Sequence, residues 1–443
     1  MTLDANRKTG RLAFRNARLI DPASNLDVRG GLLIENGKIA DVGPRLFNDA
    51  DANDPEVIDC NGLVLAPGLI DMRVFTGEPG SEHRETLESA SRAAAAGGVT
   101  TMVVMPNTDP VIDEPSLVDF IKRRAAATAR VRVVPMAALT KNLDGEVMTE
   151  IGLLLEAGAV AFTDGDRSVA NTRVLRRALA YASTFGALVV GHAEDPSLSE
   201  GSAMNEGEYA MRLGIPAAPS MAETLMVERD IRLVEMTGAR YHFGQISCRA
   251  SLDAIAAAKA RGVRVTCGVS AHHLALNELD VGSYYTFRKV KPPLRSEDDR
   301  MAMVEGVANG TIDVIVSSHD PQAADTKRQP FSQAAFGTVG LETLLPVALG
   351  VHHNGEASLS HVLAALTSAP ARILGLEGGT LAKGAPADVI LFDPGEPFVL
   401  EADQLHSRAK NTAFEGRRFQ GRVRATYVGG VCVFDSSKEK RTP

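Results

Sequence analysis

One short stretch decides the fold, Ala66-Pro67-Gly68-Leu69-Ile70-Asp71-Met72-Arg73-Val74-Phe75. A proline–glycine turn leads into an apolar run of the length of a buried β-strand, and the run ends in a charged and an aromatic side chain. Similar runs recur downstream, separated by alanine- and leucine-rich stretches typical of helices. The candidate strands end near Arg73, Met105, Met136, Thr163, Gly191, Gln245, Gly268 and Ser317.

This alternation predicts an α/β fold, a (β/α)8 TIM barrel. Parallel strands need crossover helices, and eight strand–helix units occupy roughly 300 residues. A doubly wound open sheet is the alternative architecture. Reactive groups of a barrel lie at the C-terminal ends of its strands. That rule selects Arg73, Phe75, Asn107, Asp164, His192, Gln245, Ser318 and His319.

Both ends of the chain look different from the middle, because they consist of short strands separated by turns. Asn36-Gly37 lies between two apolar runs, which is typical of a type I′ hairpin, and Gly429-Gly430 separates two more. We therefore expect one small β-sandwich domain built from both termini. The predicted division is residues 1–66 and 379–443 for the sandwich and 67–378 for the barrel.

The composition is that of a globular protein, with 44% hydrophobic and 23% charged residues and a net charge of −8. A negative net charge gives no broad attraction to nucleic acid or to an anionic membrane. No apolar run reaches the roughly 18 residues of a spanning helix, and the first residues lack the apolar core of a secretory signal. The four cysteines have no paired spacing, which favours free thiols. We expect a cytoplasmic protein.

Several motifs follow one another in a specific order, although none is specific alone. They are Met105-Pro106-Asn107-Thr108, His192-Ala193-Glu194-Asp195, Pro292-Pro293-Leu294-Arg295, Phe336-Gly337-Thr338 and Lys410-Asn411-Thr412. From about Gly62 to Val433 the chain resembles dihydroorotases of the barrel-plus-β-sandwich class within the amidohydrolase superfamily. The resemblance implies a zinc enzyme in which a metal-bound hydroxide attacks a cyclic amide carbonyl and an aspartate carries the proton.

The sequence departs from that family at the implied metal ligands. A His-x-His pair is implied at the end of the first barrel strand, where this chain has Arg73 and Phe75, and neither side chain can bind zinc. A further histidine is implied where Gln245 stands. The acidic ligand position Asp164 and the histidine His192 are retained. Two ligands are fewer than the three that a catalytic zinc site takes from the protein.

The implied proton carrier and substrate contacts also differ. The catalytic aspartate is replaced by Ser318, which precedes His319, and a serine hydroxyl lies far from the useful pKa range. The substrate-binding positions implied by the resemblance are Asn107, which is kept, and Gly77, Lys291 and Gln322, which are changed.

These losses lead to the expectation of a catalytically inactive, dihydroorotase-like protein with no cofactor. The resemblance implies a structural partner, aspartate carbamoyltransferase, in a complex that contains homodimers of the barrel protein. Two alternatives stay open. One is an active cyclic amidohydrolase with an atypical zinc site on Asp164, His192 and His319. The other is a sensor that binds a small anion with Asn107 and Lys291.

Two local contacts are also predicted. We expect Arg73 to form an ion pair with Asp164 where the metal is lost, because a guanidinium fork matches a carboxylate; the alternative is that Arg73 reaches solvent. We expect the ring of His192 to hydrogen-bond a backbone carbonyl rather than a metal.

Overall fold

The computed structural model describes residues 10–44, 46 and 56–438. The strands are β1 (Leu12–Asp21), β2 (Leu26–Glu35), β3 (Lys38–Gly43), β4 (Glu56–Asp59), β5 (Val64–Pro67), β6 (Leu69–Val74), β7 (Val99–Val104), β8 (Arg132–Pro135), β9 (Leu188–Gly191), β10 (Met204–Asn205), β11 (Ala217–Ala218), β12 (Arg240–Phe243), β13 (Val265–Ser270), β14 (Val314–Val316), β15 (Val389–Val399), β16 (Arg418–Val428) and β17 (Val431–Asp435).

The α-helices are α1 (Leu87–Ala96), α2 (Pro115–Thr128), α3 (Ile151–Ala157), α4 (Thr172–Thr184), α5 (Pro196–Ser199), α6 (Glu208–Leu213), α7 (Met221–Thr237), α8 (Arg249–Ala260), α9 (Ala271–Ala275), α10 (Glu297–Ala308), α11 (Ala324–Lys327), α12 (Leu344–His353), α13 (Leu359–Leu366) and α14 (Ser368–Leu374). None of these helices combines the length and the apolarity needed to cross a membrane.

Parallel strands form a closed ring in the middle of the chain. Strands β6, β7 and β8 pair in one arc, and β9, β12, β13 and β14 pair in another. Phe162 joins the arcs, because it pairs with Ala137 after β8 and with Val189 in β9. On the other side Val74 of β6 pairs with His319, just beyond β14. Closure excludes the open sheet and confirms the predicted TIM barrel.

Strands from both ends of the described chain share a second sheet, in the order β17-β16-β15-β5-β1-β2-β3, with β4 beside β1. Both predicted hairpin turns are present: Asn36 and Gly37 have φ of 52° and 75°, and Gly429 and Gly430 have 56° and 77°. The sheet buries its own core, in which the rings of Phe14 and Tyr427 meet edge to face at 5.0 Å. The β-sandwich built from both ends is therefore present, and its exact boundaries stay predictions.

Capping side chains fix where several barrel helices begin. The Thr86 hydroxyl accepts from the Ser89 backbone N–H before α1, and Asn171 and Ser296 cap α4 and α10 in the same way. Helix α1 then buries small alanine side chains against the barrel wall. Because each helix begins at a fixed point after its strand, the loops at the C-terminal ends of the strands are held in place.

A buried polar network lies beneath one side of these loops. Arg295 donates to the Ser247 hydroxyl at 2.9 Å and to the Asn205 side-chain oxygen at 2.8 Å, and its Nη2 lies 3.4 Å from Glu223 Oε2. Glu223 also accepts from the Ser247 and Cys248 backbone N–H groups. Both Glu223 and Arg295 are buried, so each charge depends on the other.

Contacts at several places join the sandwich to the barrel. At one end, Arg132 of β8 makes a bidentate ion pair with Asp388, at 2.5 and 3.0 Å. At the other, the segment 405–414 returns to the barrel mouth, where the Thr338 hydroxyl donates to the Asn411 carbonyl at 2.7 Å. The C-terminal part of the chain thereby contributes to the floor of the candidate site.

Candidate functional site

A cavity of about 40 Å³ opens at the C-terminal ends of the barrel strands, with room for roughly three water molecules. It continues into a cleft of about 1030 Å³ through a shared wall that includes Asp166, Lys291 and Phe336. The polar and charged groups around the inner cavity include Arg73, Asn107, Asp166, Lys291, Ser318, His319 and Asp320. Phe75 also lines it. The structure thus brings together most of the predicted positions.

Asp164 and His192 line a separate small cavity beside it. The Asp164 carboxylate accepts from the backbone N–H groups of Leu139 and Thr140 and from the Thr140 hydroxyl, at 2.5–3.1 Å. Burial raises the pKa of Asp164. His192 Nε2 lies 3.2 Å from Glu194 Oε2. The predicted ion pair of Asp164 and the predicted carbonyl bond of His192 are therefore wrong, because other side chains take those places.

The guanidinium of Arg73 has few partners among the described residues. Its Nη1 donates to the Gly165 carbonyl at 3.3 Å, and among the described residues no carboxylate oxygen lies within 4.0 Å of its guanidinium. Burial lowers the pKa of Arg73, while Asp166 and Asp320 act in the opposite direction. An arginine in such surroundings stays protonated. A fixed positive charge therefore faces the cavity.

Phe75 supports a second arginine rather than a metal. The Arg84 guanidinium carbon lies 4.5 Å from the centroid of the Phe75 ring, a cation–π contact. Arg84 also donates to Asp320 Oδ1 and to the Pro321 carbonyl, both at 2.8 Å. The phenyl ring thus forms part of a platform that positions a carboxylate.

That carboxylate, Asp320, is a group that sequence reasoning missed. Its Oδ1 also accepts from Gln322 Nε2 at 2.9 Å. Burial raises the pKa of Asp320 to about 6, an effect that Arg84 opposes and Asp166 reinforces. The signal was available, because Asp320 stands two residues after Ser318, the position of the implied catalytic aspartate.

Ser318 and His319 occupy the turn that follows β14. Ser318 has φ of 50°, a left-handed conformation that asparagine and aspartate tolerate better than serine. His319 Nδ1 accepts from the Gly340 N–H at 3.2 Å, so in the neutral ring the proton is on Nε2. That nitrogen lies 3.7 Å from Glu85 Oε2, which is too long for a hydrogen bond.

Glu85 anchors this region from below. It is fully buried and accepts from the hydroxyls of Ser89 and Ser407 and from the Arg408 N–H. Burial alone would raise its pKa, but His319 and the two serine hydroxyls outweigh burial, so the pKa of Glu85 is lowered. An ionised carboxylate therefore joins the loop before α1 to the segment 405–414.

The remaining predicted positions have local explanations. Gly77 has φ of 70°, and a Cβ there would lie 2.6 Å from the Ser81 carbonyl, so no arginine side chain fits at this turn. Gln245 Nε2 lies 3.5 Å from the Lys291 carbonyl. Lys291 Nζ forms an ion pair with Glu194 at 2.7 Å. Despite burial, His192 and Lys291 lower the pKa of Glu194 to about 2.

The donor set does not fit the zinc that the family resemblance implies. Nowhere in the described ranges do three His, Cys, Asp or Glu side chains converge as metal ligands. At the implied position stand a guanidinium, a phenyl ring and an amide, while Asp164 and His192 are bound to Thr140 and Glu194. A dication beside a fixed positive charge is also repelled.

We expect the purified chain, expressed with added zinc, to hold less than about 0.1 zinc per chain by plasma mass spectrometry, because it lacks three convergent ligands. The triple variant Arg73→His, Phe75→His and Gln245→His supplies three imidazoles and should hold about one. Arg212→His, on an exposed helix, is the matched control and should stay at the wild-type value. Stoichiometric zinc that survives chelation in the wild type would contradict the expectation.

Comparisons with known proteins agree with this architecture. Residues 62–251 match the family model described as Dihydro-orotase-like, and residues 311–434 match that of the Amidohydrolase family. The L-hydantoinase (dihydropyrimidinase) of Arthrobacter aurescens superimposes with a TM-score of 0.87 at 25% identity, covering 96% of each chain. The D-hydantoinase of Thermus sp. superimposes with a TM-score of 0.81 at 24% identity, covering 95% of this chain and 94% of its own.

Curated relatives are more similar to this chain in sequence than these solved structures are. The dihydroorotase of Anaplasma phagocytophilum is 45% identical over 96% of this chain and 95% of its own length. That of Wolbachia sp. subsp. Drosophila simulans is 45% identical over 98% of both, and that of Syntrophus aciditrophicus 41% identical over 96% and 99%. These full-length relatives bear the name of the enzyme, so the expectation of a catalytically inactive subunit is wrong. The chain belongs to the dihydroorotase-like family of amidohydrolases.

Proposed function

We propose that the chain is a cyclic amidohydrolase of the dihydroorotase type, which opens and closes the ring of a carboxylate-bearing cyclic ureide such as dihydroorotate. The observation that carries the proposal is 41–45% identity to proteins named dihydroorotase over nearly the whole chain. The cavity at the C-terminal ends of the barrel strands supports it, since barrel enzymes place their chemistry there.

The chain supplies a proton carrier in this cavity. Hydrolysis of an amide needs a base for the attacking water and an acid for the leaving nitrogen. Asp320 lines the cavity, Arg84 and Gln322 orient it, and its pKa of about 6 lies close to the range that suits both tasks. We therefore assign the proton transfer to Asp320 rather than to Ser318.

The chain also supplies a positive charge for the developing oxyanion. Arg73 faces the same cavity with most of its N–H groups uncommitted. A preorganised donor of this kind stabilises negative charge that forms on the attacked carbonyl oxygen. Zinc would supply a polarising ion and a hydroxide, but the donor set does not fit it, so no step is assigned to a metal.

The decisive experiment is a ring-opening assay with dihydroorotate, on protein treated with a chelator and on protein with added zinc. We expect turnover in both samples, because the groups assigned here belong to the chain. Arg212→Met is the matched control for handling and should retain wild-type activity. A chain that opens no ring in either sample above the uncatalysed rate would refute the proposed function.

Three expectations about the surroundings of the chain are untested. We propose a homodimer, as the family resemblance implies. Sedimentation velocity would test it, and a monomer at micromolar concentration would refute it. A cytoplasmic location and contact with aspartate carbamoyltransferase stay predictions, the latter open to a co-sedimentation test.

A further inference from the structure

Residues 331–337 form a wall segment that separates the inner cavity from the outer cleft. They lie between α11 and α12 and belong to no helix or strand. Phe336 lines both spaces, Gly337 lines the inner cavity, and Ala334 lines the cleft. Because the backbone carbonyls of such a segment have no strand to pair with, other donors must satisfy those that are buried.

The ammonium group of Lys289 supplies two of these donors. Its Nζ donates to the Ser332 carbonyl at 3.0 Å and to the Ala334 carbonyl at 2.7 Å. It also lies 4.4 Å from the centroid of the Phe336 ring, a cation–π contact. One charged side chain therefore contacts three residues of the wall segment.

Lys327, the last residue of α11, supplies another donor. Its Nζ donates to the Ala335 carbonyl at 2.7 Å and to the Thr286 carbonyl at 2.9 Å. The Thr286 hydroxyl in turn donates to the Lys327 carbonyl at 2.6 Å. The two lysines thus join the wall segment to the end of α11 and to the turn 286–289.

Both ammonium groups are buried without a counter-ion. Lys289 and Lys327 are 3% and 2% exposed, and in the described part of the chain no carboxylate oxygen lies within 4.0 Å of either Nζ. Burial lowers the pKa of Lys327 to about 7 and that of Lys289 to about 8, so both are protonated at pH 6. Packing alone does not require such charges, because an apolar side chain fills buried space at less cost.

The wall segment in turn borders the carboxylate of Asp320. Gly337 has φ of 117°, and a Cβ there would lie 2.5 Å from Asp320 Oδ2, so the backbone closely approaches that oxygen. The carbonyl of the next residue, Thr338, accepts from the Asp320 N–H at 2.8 Å. The charges of Asp320 and Lys327 also act on each other, which raises the pKa of Lys327 and lowers that of Asp320 against the effect of burial. A shift of the wall segment would therefore move the proposed proton carrier.

Other anchors lie at the two ends of the wall segment. Phe331 is buried in a small apolar cluster. At the far end the Gly337 N–H donates to the Lys289 carbonyl at 2.9 Å, and Asn411 Nδ2 donates to the Gly337 carbonyl at 3.2 Å. The ammonium groups bind between these points, from Ser332 to Ala335. The middle of the segment is therefore the part that depends on the two lysines.

We propose that Lys289 and Lys327 are positioning residues for Asp320, because their ammonium groups hold the middle of the wall segment against the turn 286–289. Neither lysine lines the inner cavity, so both act on its groups through the segment. The inference rests on the proposed function for the task of Asp320 in proton transfer. It extends the set of groups that orient Asp320 from Arg84 and Gln322 to a buried pair of charges.

Hydrogen–deuterium exchange at pH 6, resolved to single residues by fragmentation, tests this tie without any need for activity. In Lys289→Met and in Lys327→Met, the Asp320 and Gly337 N–H groups should exchange about 10–100-fold faster, because hydrogen bonds to a charged group are lost. Helices α3 and α4 should exchange as they do in the wild type, since the effect is local.

Lys122→Met is the matched control, because Lys122 Nζ also donates to a backbone carbonyl, that of Ala157 at 2.7 Å, but does so between α2 and the end of α3. This variant should leave the exchange of the Asp320 N–H unchanged. Faster exchange throughout the chain in both lysine variants, or unchanged exchange at Asp320 in both, would overturn the inference.

An added amine separates charge from packing. Lys327→Ala removes three carbons and the ammonium group, which n-propylammonium replaces. We expect this ion to restore part of the protection of the Asp320 N–H, whereas n-propanol, which fills similar space without a charge, should restore none. Equal restoration by both compounds would show that the side chain only fills space, and would overturn the task assigned to the ammonium group.

Steady-state rates connect the tie to the reaction. Lys327→Met should lower kcat for the opening of dihydroorotate at least about tenfold and leave KM nearly unchanged, since a small misplacement of a catalytic group has effects of this order. A chain that opens no ring in any form refutes the proposed function, and the exchange experiment then decides the inference alone. A chain that opens the ring, with wild-type kcat in both Met variants, refutes only the inference.

Discussion

Asp320→Asn should lower kcat/KM for the opening of dihydroorotate by at least about 100-fold, because a positioned general acid–base contributes roughly 10²–10⁴-fold. The substitution keeps the shape of the side chain, and the contacts with Arg84 and Gln322 can still form. The loss of activity therefore reports on proton transfer. The measurement is initial rate against substrate concentration, with circular dichroism to verify that the variant is folded.

The pH profile makes this prediction specific. The ionised form of Asp320 accepts the proton, and its pKa is raised to about 6, so ring opening should increase as the pH rises through about 6 and then level off. Ring closure, which needs the protonated form, should decrease over the same range. Asp320→Asn should remove the change near pH 6 from the rate of ring opening and from the rate of ring closure.

Asp166→Asn is the matched control, because Asp166 lines the same cavity and carries the same charge. We expect Asp166→Asn to lower the rate of ring opening by less than about tenfold and to keep the increase of that rate near pH 6. If the change of rate near pH 6 survives in Asp320→Asn and disappears in Asp166→Asn, the proton carrier is Asp166 instead.

Glu223→Ala should lower the free energy of unfolding by about 3–5 kcal/mol, because it leaves the buried Arg295 guanidinium without its partner. Glu223 and Arg295 are 1% and 4% exposed, so water cannot replace the lost carboxylate without opening the structure. Urea unfolding followed by circular dichroism measures the change. The Ser247 and Cys248 N–H groups also lose their acceptor.

A double variant, Glu223→Met with Arg295→Met, tests the cause. If the cost comes from an uncompensated buried charge, removal of both charges should cost less than Glu223→Ala alone. A double variant that is less stable than Glu223→Ala would show that packing and the remaining hydrogen bonds outweigh the charge pair.

The positions of seven barrel strands could be predicted from the sequence, because they depend on local patterns, whereas the strand expected to end near Thr163 is reduced to isolated bridges at Phe162. The strand expected to end near Gly191 ends there, and that expected near Arg73 ends at Val74. The hairpin at Asn36-Gly37 was equally predictable, since both residues must adopt positive φ. These features need no knowledge of distant contacts.

The side-chain partners at the site could not be predicted in this way. The hydroxyl of Thr140 lies 24 residues before Asp164 in the sequence and replaces Arg73 as its partner. Asp320 gains its role from Arg84, which lies 236 residues earlier. The family resemblance implies a proton carrier at the position of Ser318, whereas the carboxylate of this chain lies at Asp320, with only one residue between them.

The burial of Glu85 has a consequence for where the chain can be shortened. Its carboxylate receives the Ser407 hydroxyl and the Arg408 N–H, from a segment more than 300 residues away along the chain. A version that ends before this segment would lose these two donors and leave the Glu85 carboxylate with Ser89 and His319 as its neighbours. The barrel and the segment 405–414 therefore depend on each other, and deletion of that segment would disturb the barrel loop that carries Glu85.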